Sequence, residues 1–349
     1  MLTKTKPDAE QNVVSDTLGR PLHDLRISVI DRCNFRCPYC MPEEHYPEHY
    51  EFVSSPERLS FEEIQRLTAL FARLGVKKLR VTGGEPLLRK NLPVLIRSLA
   101  DTDGIEDIAL TTNGVLLASQ AEALKAAGLD RVTVSLDSID PQVFARMSGD
   151  RGDSTNVLKG VDAARDAGLS PIKINVVVQK GVNDHTITEL LEKFRGTGVI
   201  VRFIEYMDVG NRNHWRINEV VPSSELVERI NARWPVKPLD ENYPGEVASR
   251  YEFEDGSGEI GFISSVTNPF CRSCTRARLS TNGVLYTCLF ASHGTDLRRP
   301  MRDGVTDDDL LALIQSVWRG RADRYSELRE PTLAEKHLVH KIEMYQIGG

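Results

Sequence analysis

The order of strand-like and helix-like segments limits the fold of this chain more than any other feature. From Asp24 to about Tyr206, six short runs rich in β-branched residues alternate with amphipathic segments. Such an alternation places parallel strands in one sheet with helices outside it. The pattern predicts an α/β core over residues 24–234, built either as an open sheet or as an incomplete barrel. The six runs are DLRISVI, KKLRVTG, DIALTTN, RVTVSLD, IKINVVV and IVRFIEY.

Sequence signals also mark where helices begin and end. A hydroxyl residue three positions before a glutamate has the spacing of a capping box, in which both side chains satisfy free backbone N–H groups. Glycine accepts a left-handed cap and marks a helix end. The predicted starts are Ser60 with Glu63, Ser119 with Glu122 and Thr186 with Glu189, and the predicted ends are Gly75, Gly128 and Gly168. In folds of this kind, functional residues gather at the carboxyl ends of the strands.

The pattern changes after Trp234. KPLDENYPG is typical of a connector, and residues 249–266 and 276–290 have the pattern of two hairpins. These elements predict a smaller C-terminal α+β region over residues 235–349. Residues 1–23, which precede the first strand, are expected to form an N-terminal extension.

The second hairpin carries an Asn-Gly pair at its centre, which predicts a two-residue turn because both positions favour positive φ. Counted back from that turn, Cys288 lies opposite Ala277. Side chains alternate along a strand, so Arg276 and Arg278 would then face away from Cys288.

Composition argues against several functional classes. The formal net charge of −6 gives no bulk attraction to nucleic acid or to acidic membranes. The first twenty residues lack the apolar core of a signal peptide, and no apolar run approaches the roughly 20 residues that span a bilayer. These features predict a cytoplasmic protein that binds neither nucleic acid nor membrane. Reducing conditions there disfavour disulfides, so the six cysteines are expected to be metal ligands.

The cysteines fall into two separate trios, and each trio lacks the fourth ligand that a thiolate site usually has. The first trio is Cys33, Cys37 and Cys40, and the second trio is Cys271, Cys274 and Cys288. Zinc remains an alternative at the second trio, because His293 would complete a site of three cysteines and one histidine. Three protein ligands on four irons would instead leave one iron open for a small molecule.

Two histidines near the first trio, His45 and His49 in EEHYPEHY, also suggest metal binding. Pro47 between them disfavours one helical face that carries both side chains. No metal site is therefore predicted for this pair, and the sequence assigns the two histidines no role.

The first trio, with Tyr39 just before its last cysteine, resembles the signature of the radical S-adenosylmethionine (SAM) family. The resemblance implies an incomplete parallel (β/α)6 barrel and a [4Fe–4S] cluster with three cysteine ligands, whose fourth iron binds SAM. Reductive cleavage of SAM then yields a 5′-deoxyadenosyl radical. The resemblance implies four SAM contacts: Tyr39, Gly84 in VTGGEPLL, Ser135 and Met207. Taken alone, Gly84 is an ordinary turn residue, Ser135 a partner of local backbone and Met207 a core residue.

Further segments resemble the branch of that family that cyclises GTP in the first step of molybdenum cofactor biosynthesis. They are the second trio, FCRSCTRARLSTNG, FIEYMDVG and the terminal Gly-Gly. The resemblance implies a second [4Fe–4S] cluster with three cysteine ligands, whose open iron contacts guanine, and a tail that reaches into the active site. It identifies no catalytic side chain. The implied GTP contacts are Arg26, Arg80, Thr111, Lys173, Arg276, Ala277 and Arg278, with Arg202 as a further candidate.

The same resemblance implies the reaction and its partners. GTP would become (8S)-3′,8-cyclo-7,8-dihydroguanosine 5′-triphosphate, with the help of an electron donor. A downstream enzyme would take this product to cyclic pyranopterin monophosphate, and a homodimer is compatible with the family. Two alternatives stay open from the residues alone. A two-cluster radical enzyme that modifies a peptide would need an open cleft, and a ferredoxin-like carrier or a zinc-stabilised binding module would need fully ligated metals.

Overall fold

Twelve strands form one sheet in the part of the chain that the computed structural model describes, residues 13–243, 245–329 and 340–348. In chain order the strands are β1 (Asp24–Ser28), β2 (Lys78–Thr82), β3 (Asp107–Thr112), β4 (Arg131–Ser135), β5 (Ile172–Val178), β6 (Ile200–Glu205), β7 (Val236–Leu239), β8 (Ser249–Phe253), β9 (Glu259–Ile263), β10 (Arg276–Leu279), β11 (Val284–Tyr286) and β12 (Thr295–Asp296). The sheet has the order β12-β11-β10-β1-β2-β3-β4-β5-β6-β9-β8-β7, so it is not a closed barrel. All six predicted strands are confirmed as β1 to β6.

Helices lie between the strands along the chain. They are α1 (Phe61–Arg73), α2 (Leu92–Ala100), α3 (Ala121–Ala126), α4 (Pro141–Ser148), α5 (Ser154–Asp166), α6 (Ile187–Phe194), α7 (Ser223–Asn231), α8 (Arg298–Arg302), α9 (Asp307–Arg319) and α10 (Met344–Ile347). Within the described ranges, no helix has the length and apolar character that a membrane span requires.

The helix signals are confirmed in part. At α1, Ser60 accepts from the Glu63 backbone at 3.2 Å and the Glu63 carboxylate accepts from the Ser60 backbone at 2.8 Å, so the capping box is present. The other two boxes are wrong. Gln120 takes the cap of α3, while the hydroxyls of Ser119 and Thr186 donate to carbonyls in the preceding turn. The predicted helix ends are confirmed, each with positive φ: Gly75, Gly128 and Gly168.

Side chains alternate between two faces of the sheet. One face, which we call the helix face, packs on the helices and is apolar, as Ile27, Val81 and Phe203 show; all three are fully buried. The opposite face carries polar and charged residues, among them Arg26 and Arg80, which are register partners on β1 and β2. Burial of the helix face therefore holds the charged face in a fixed orientation.

The parallel part of the sheet is larger than the sequence predicted. Eight strands rather than six are parallel, because β9 joins β6 and β10 joins β1 in parallel register. Both added strands come from the predicted C-terminal region, and each brings an antiparallel hairpin to one edge of the sheet. The predicted connector KPLDENYPG is wrong in its first part, because residues 236–239 pair with β8 as β7.

The predicted register of the β10–β11 hairpin is also wrong. Ser280, rather than Thr281, faces Val284, and the Ser280 backbone and hydroxyl both bond to that residue. The loop has three residues instead of two, so the pairing shifts by one and Arg278 lies opposite Tyr286. Continued along the chain, this register places Cys288 opposite Arg276 and not opposite Ala277. A one-residue shift exchanges the faces, which brings the arginines to the side of Cys288.

Candidate active site

A cavity lies against the charged face of the sheet. Its empty space is about 1400 Å³, counting the part that is open to solvent. Residues from β10 and from β9 both line it, although seven steps separate these strands in the sheet order. The sheet therefore curls around the cavity as an incomplete barrel, which confirms the predicted architecture.

The two cysteine trios lie at opposite ends of the parallel strands. The first trio follows β1, at the carboxyl ends of the strands. Cys274 comes just before β10, which runs parallel to β1, so the second trio lies at the amino ends. A five-residue strand separates these levels by roughly 15 Å at about 3.3 Å per residue. The expectation that functional residues gather only at the carboxyl ends is therefore too narrow.

Cations line the cavity beside the second trio. Burial lowers the pKa of five of them, and neighbouring cations lower it further for each. The pKa of Lys173 falls to about 8, that of Arg202 to about 9, and those of Arg80 and Arg278 to about 10, while that of Arg26 falls well below its usual value. Within the described residues, none of these five forms an ion pair with an acid. Arg131, in contrast, pairs with Asp107. These five cations therefore lack a directly paired acid among the described residues.

Hydrogen bonds to neutral groups orient several of these cations. Arg80 donates to the hydroxyls of Thr111 and Thr133 at 3.0 and 3.2 Å, and Arg202 donates to the Asn175 side chain at 2.8 Å. Neutral acceptors fix a guanidinium without removing its charge. Such an arrangement suits an anionic ligand, because rigid arginines match phosphate geometry.

Buried Arg36 organises the loop of the first trio. It donates to the carbonyls of Cys33, Phe35 and Tyr46 at 2.7–2.9 Å, so it holds the loop closed around its own cysteines. Asn113, at the end of β3, lies 3.9 Å from the Cys33 sulfur. These contacts fix a turn that sequence spacing alone would not define.

The GGEP segment packs directly against that loop. A Cβ at Gly84 would collide with the Arg32 carbonyl, and the Gly84 N–H donates to the Ile30 carbonyl at 2.7 Å. Glu85 is completely buried and accepts from the backbone of Asn113 at 2.7 Å; burial raises the pKa of its carboxyl to about 7. The structure thus explains the glycine by a close approach of two backbones, whether or not SAM lies beside it.

The other predicted SAM contacts lie near the carboxyl ends of the strands. The Tyr39 hydroxyl donates to Asp137 at 2.8 Å, and burial raises the pKa of Asp137 to about 6. Ser135 ends β4 on the charged face, next to Asn175 in the register, and Met207 lines the cavity after β6. The geometry thus brings Tyr39, Ser135 and Met207 to the carboxyl ends of β1, β4 and β6.

The second trio is braced by buried arginines. Arg321 donates to the carbonyls of Cys274 and Thr287 at 2.8 and 3.0 Å, and Arg20 donates to the carbonyl of Cys271 at 2.7 Å. Both arginines pair with Asp16, which is also buried. In the cavity, Arg276 lies 3.2 Å from the Cys274 sulfur.

Neither trio is a preformed zinc site in the described part of the chain. Among the described residues, neither trio brings its three sulfur atoms within 4.8 Å of one another, and His293 joins no such group. Zinc held by thiolates at about 2.3 Å would bring the sulfurs to about 3.8 Å. Metal analysis distinguishes zinc from a cluster in which each cysteine binds a different iron.

The C-terminal tail reaches the cavity. Arg278 donates to the Gly348 carbonyl, and a Cβ at Gly348 would collide with Thr82 on β2. Nearby, Tyr345 packs against Tyr46 in the loop of the first trio, with ring centroids 5.1 Å apart. Gly349 lies outside the described residues.

Among the predicted substrate contacts, six line the cavity: Arg26, Arg80, Thr111, Lys173, Arg276 and Arg278. Ala277 does not, because its side chain lies on the helix face and is fully buried. Only its backbone is available to a ligand.

Sequence reasoning missed several residues of the site. Lys78 and Tyr243 line the cavity, and the Lys78 ammonium lies 3.2 Å from the Tyr243 ring centroid. Lys78 is two positions before Arg80, so the alternation of β2 was a usable signal for its face. No comparable signal marks Tyr243, Arg36 or Arg321, whose positions depend on tertiary contacts.

Comparison with known proteins agrees with this architecture. Residues 27–194 match the radical SAM superfamily, and residues 199–327 match the family described as Molybdenum Cofactor Synthesis C. SuiB from Streptococcus suis, bound to the precursor peptide SuiA, has a similar fold with a TM-score of 0.60 and 17% identity, over 93% of this chain and 72% of that chain. SuiB bound to SAM gives a TM-score of 0.58 and 15% identity, over 85% and 69%. Fold and site thus define a radical SAM enzyme.

Relatives with higher sequence identity identify the family within the class of radical SAM enzymes. GTP 3′,8-cyclase of Xanthomonas campestris pv. campestris (strain B100) is 54% identical over 343 residues, 98% of this chain and 99% of that protein. GTP 3′,8-cyclase of Staphylococcus epidermidis (strain ATCC 12228 / FDA PCI 1200) is 47% identical over 97% of this chain and 100% of that protein. The chain belongs to the GTP 3′,8-cyclase family.

Proposed function

We propose that this enzyme converts GTP to (8S)-3′,8-cyclo-7,8-dihydroguanosine 5′-triphosphate, the first step of molybdenum cofactor biosynthesis. The observation that carries the proposal is a cavity lined by the second trio and by five cations that form no ion pair with an acid in the described chain. The similarity to a peptide-bound enzyme concerns the fold alone, and a cationic cavity favours a triphosphate over a peptide.

The first trio is proposed to hold a [4Fe–4S] cluster whose open iron takes SAM. When bound and reduced by an electron donor, cluster and SAM would supply radical chemistry for hydrogen abstraction at C3′ of GTP. Tyr39, Gly84, Ser135 and Met207 would surround SAM at the carboxyl ends of the strands. Their task is to orient it, because cofactors perform the chemistry while protein residues position and shield it.

The second trio is proposed to hold a second [4Fe–4S] cluster with an iron left for the guanine base. The bracing by Arg20 and Arg321 supports a fixed site, since both hold carbonyls of the cysteine-bearing segments. Guanine bound there would place the ribose towards the first trio.

The triphosphate is proposed to bind the cavity cations. Its negative charge would neutralise groups that now lower the pKa of one another. Proposed contacts are Arg26, Arg80, Thr111, Lys173, Arg276 and Arg278, with Arg202 and Lys78 as further members, and Ala277 through its backbone alone.

The test of this assignment counts iron and separates two activities. Wild-type protein reconstituted without oxygen should hold about eight irons, and the triple variant Cys271→Ser, Cys274→Ser, Cys288→Ser about four. The variant should still form 5′-deoxyadenosine from SAM but should not cyclise GTP. Wild-type protein that holds about four irons and one zinc would restore the zinc alternative and remove the guanine site.

Further partners follow from the reaction. Reductive cleavage of SAM requires an electron donor, and an unstable product requires a downstream enzyme that takes it to cyclic pyranopterin monophosphate. Reduced cysteines and a GTP substrate agree with a cytoplasmic location. A homodimer stays a prediction of the sequence.

A further inference from the structure

Outside the cavity, three metal-binding side chains meet on the surface. Glu44, His45 and His214 each offer a ligand atom, and these atoms lie within 4.8 Å of one another. No other group of this kind occurs among residues 13–243, 245–329 and 340–348. Two of the side chains belong to the loop of the first trio, while His214 belongs to the loop that follows β6 and carries Met207. His49, the other histidine of the EEHYPEHY segment, does not belong to this group.

The distances within this group are those of long polar contacts, one of them a hydrogen bond, and they also match the spacing of ligands around one metal. One Glu44 carboxylate oxygen lies 3.4 Å from Nε2 of His45 and 3.3 Å from Nε2 of His214. Charge-assisted N–H···O bonds are shorter, about 2.7–2.9 Å. Zinc bound tetrahedrally to nitrogen and oxygen at about 2.0–2.1 Å places neighbouring ligand atoms about 3.3–3.4 Å apart. The shared oxygen already has that separation from both imidazoles.

The backbone on both sides is held in place. His214 has φ +49°, a left-handed conformation that a non-glycine residue rarely adopts. Its neighbours keep it there, because Trp215 donates to the Tyr206 carbonyl at 2.9 Å and the Asn213 carbonyl accepts from the Tyr206 hydroxyl at 2.7 Å. Across the group, fully buried Tyr46 follows His45 and anchors that loop. Fixed backbones present the ligands without a large ordering cost.

We propose that Glu44, His45 and His214 bind one divalent transition metal of the zinc class, with a fourth position open to water. Two imidazoles and a carboxylate form a ligand set that zinc accepts. The bound metal would tie the loop of the first trio to the loop that carries Met207. This site is independent of GTP cyclisation, so either proposal can fail alone.

The test adds zinc chloride to reconstituted enzyme that holds its full iron, followed by equilibrium dialysis and metal analysis of the same sample. The expected result is one zinc per chain without loss of iron, and a higher midpoint of thermal unfolding. The His214→Gly variant should bind zinc at least 10–100-fold more weakly. Removal of a residue that only hydrogen-bonds to a metal ligand already lowers metal affinity by this factor. Because glycine suits φ +49°, this variant should fold as well as the wild type without zinc.

His45→Gln should lose zinc in the same way, while His49→Gln, a change of an exposed histidine in the same loop, should keep it. Equal zinc binding by the His214→Gly variant and the wild type would overturn the proposal. So would zinc that enters only as iron leaves, because that zinc would occupy the cysteine trios.

Discussion

At the scale of single residues, the cavity cations are costly in the free protein. Arg26 is surrounded by Arg278, Arg80 and Arg276, and burial together with these neighbours lowers its pKa. Like charges that are partly removed from water repel one another, since little solvent remains between them to screen the charge. The apolar helix face holds the strands in register and so keeps the cations together. A polyanionic ligand would relieve this repulsion, so the proposed binding of GTP would be coupled to the stability of the cavity.

The first residue-scale prediction concerns Arg26→Gln, which keeps most of the side-chain size and removes the charge. GTP binding should weaken by about 1.5–3 kcal/mol, the range for hydrogen bonds to charged groups. Guanosine, which lacks phosphates, should bind the variant and the wild type equally. Isothermal titration with both ligands measures the difference.

Thermal unfolding provides the control for this prediction. Without nucleotide, the midpoint of the Arg26→Gln variant should equal or exceed that of the wild type, because a repelling charge has gone. Arg66→Gln, which breaks an exposed ion pair with Asp307, should leave GTP affinity unchanged. A variant that loses guanosine and GTP equally would show that Arg26 supports the fold and not the phosphates.

At the scale of elements, the local sequence predicts the alternation of side chains along a strand well and the register between two strands poorly. Strands β1 to β6 follow from their β-branched runs, because burial on one face imposes alternation. The β10–β11 register depends on one hydrogen-bonded side chain: the Ser280 hydroxyl accepts from the Val284 backbone at 2.9 Å and lengthens the turn. Ser119 shows the same limit, because its hydroxyl bonds to an earlier turn and leaves the helix start to Gln120. Competing local bonds of similar strength cannot be ranked from the sequence.

An element-scale prediction concerns the attachment of the C-terminal segment. The ammonium of buried Lys341 lies 2.8 Å from the carboxylate of Asp208, a residue of the loop after β6. The same carboxylate also bonds to Arg329 and Tyr325. Lys341→Met removes one partner of a buried pair, a change that costs up to about 3–5 kcal/mol. Hydrogen exchange should accelerate across residues 340–348, and GTP cyclisation should fall.

Exposed Lys159 provides the matched control for this change. The Lys159→Met variant alters the surface of α5, which is far from residues 340–348 in the sequence. It should change neither exchange nor cyclisation. Unchanged exchange over residues 340–348 in the Lys341→Met variant would mean that other contacts, such as Glu343 with Asn211, hold the segment.

At the scale of the whole molecule, the sequence predicted the class of the fold but not how its parts combine. The change of pattern after Trp234 suggested a separate region, yet β9 and β10 continue the same parallel sheet on both sides. The pairing of β10 with β1, which are more than 240 residues apart in the sequence, leaves no local signal. Each strand alone has an ordinary alternation of side chains. The division into residues 24–234 and 235–349 therefore stays a prediction, whereas the shared cavity depends on both ranges.

The open barrel receives the C-terminal tail, and the last prediction concerns Gly348→Ala. Gly348 has φ +71°, and its carbonyl accepts from Arg278, so the tail lies between β2 and β10 inside the barrel. An alanine methyl there would collide with Thr82 and strain the backbone, which should push the tail out of the cavity. Cyclisation should fall at least tenfold, while iron content and GTP affinity stay near wild type. Adding Thr82→Ser, which removes the obstructing methyl, should recover part of the rate. Gly304→Ala, at φ +87° with open space around it, reproduces the strain without the collision and should leave turnover unchanged. Wild-type turnover by the Gly348→Ala variant would mean that the tail position has no part in catalysis.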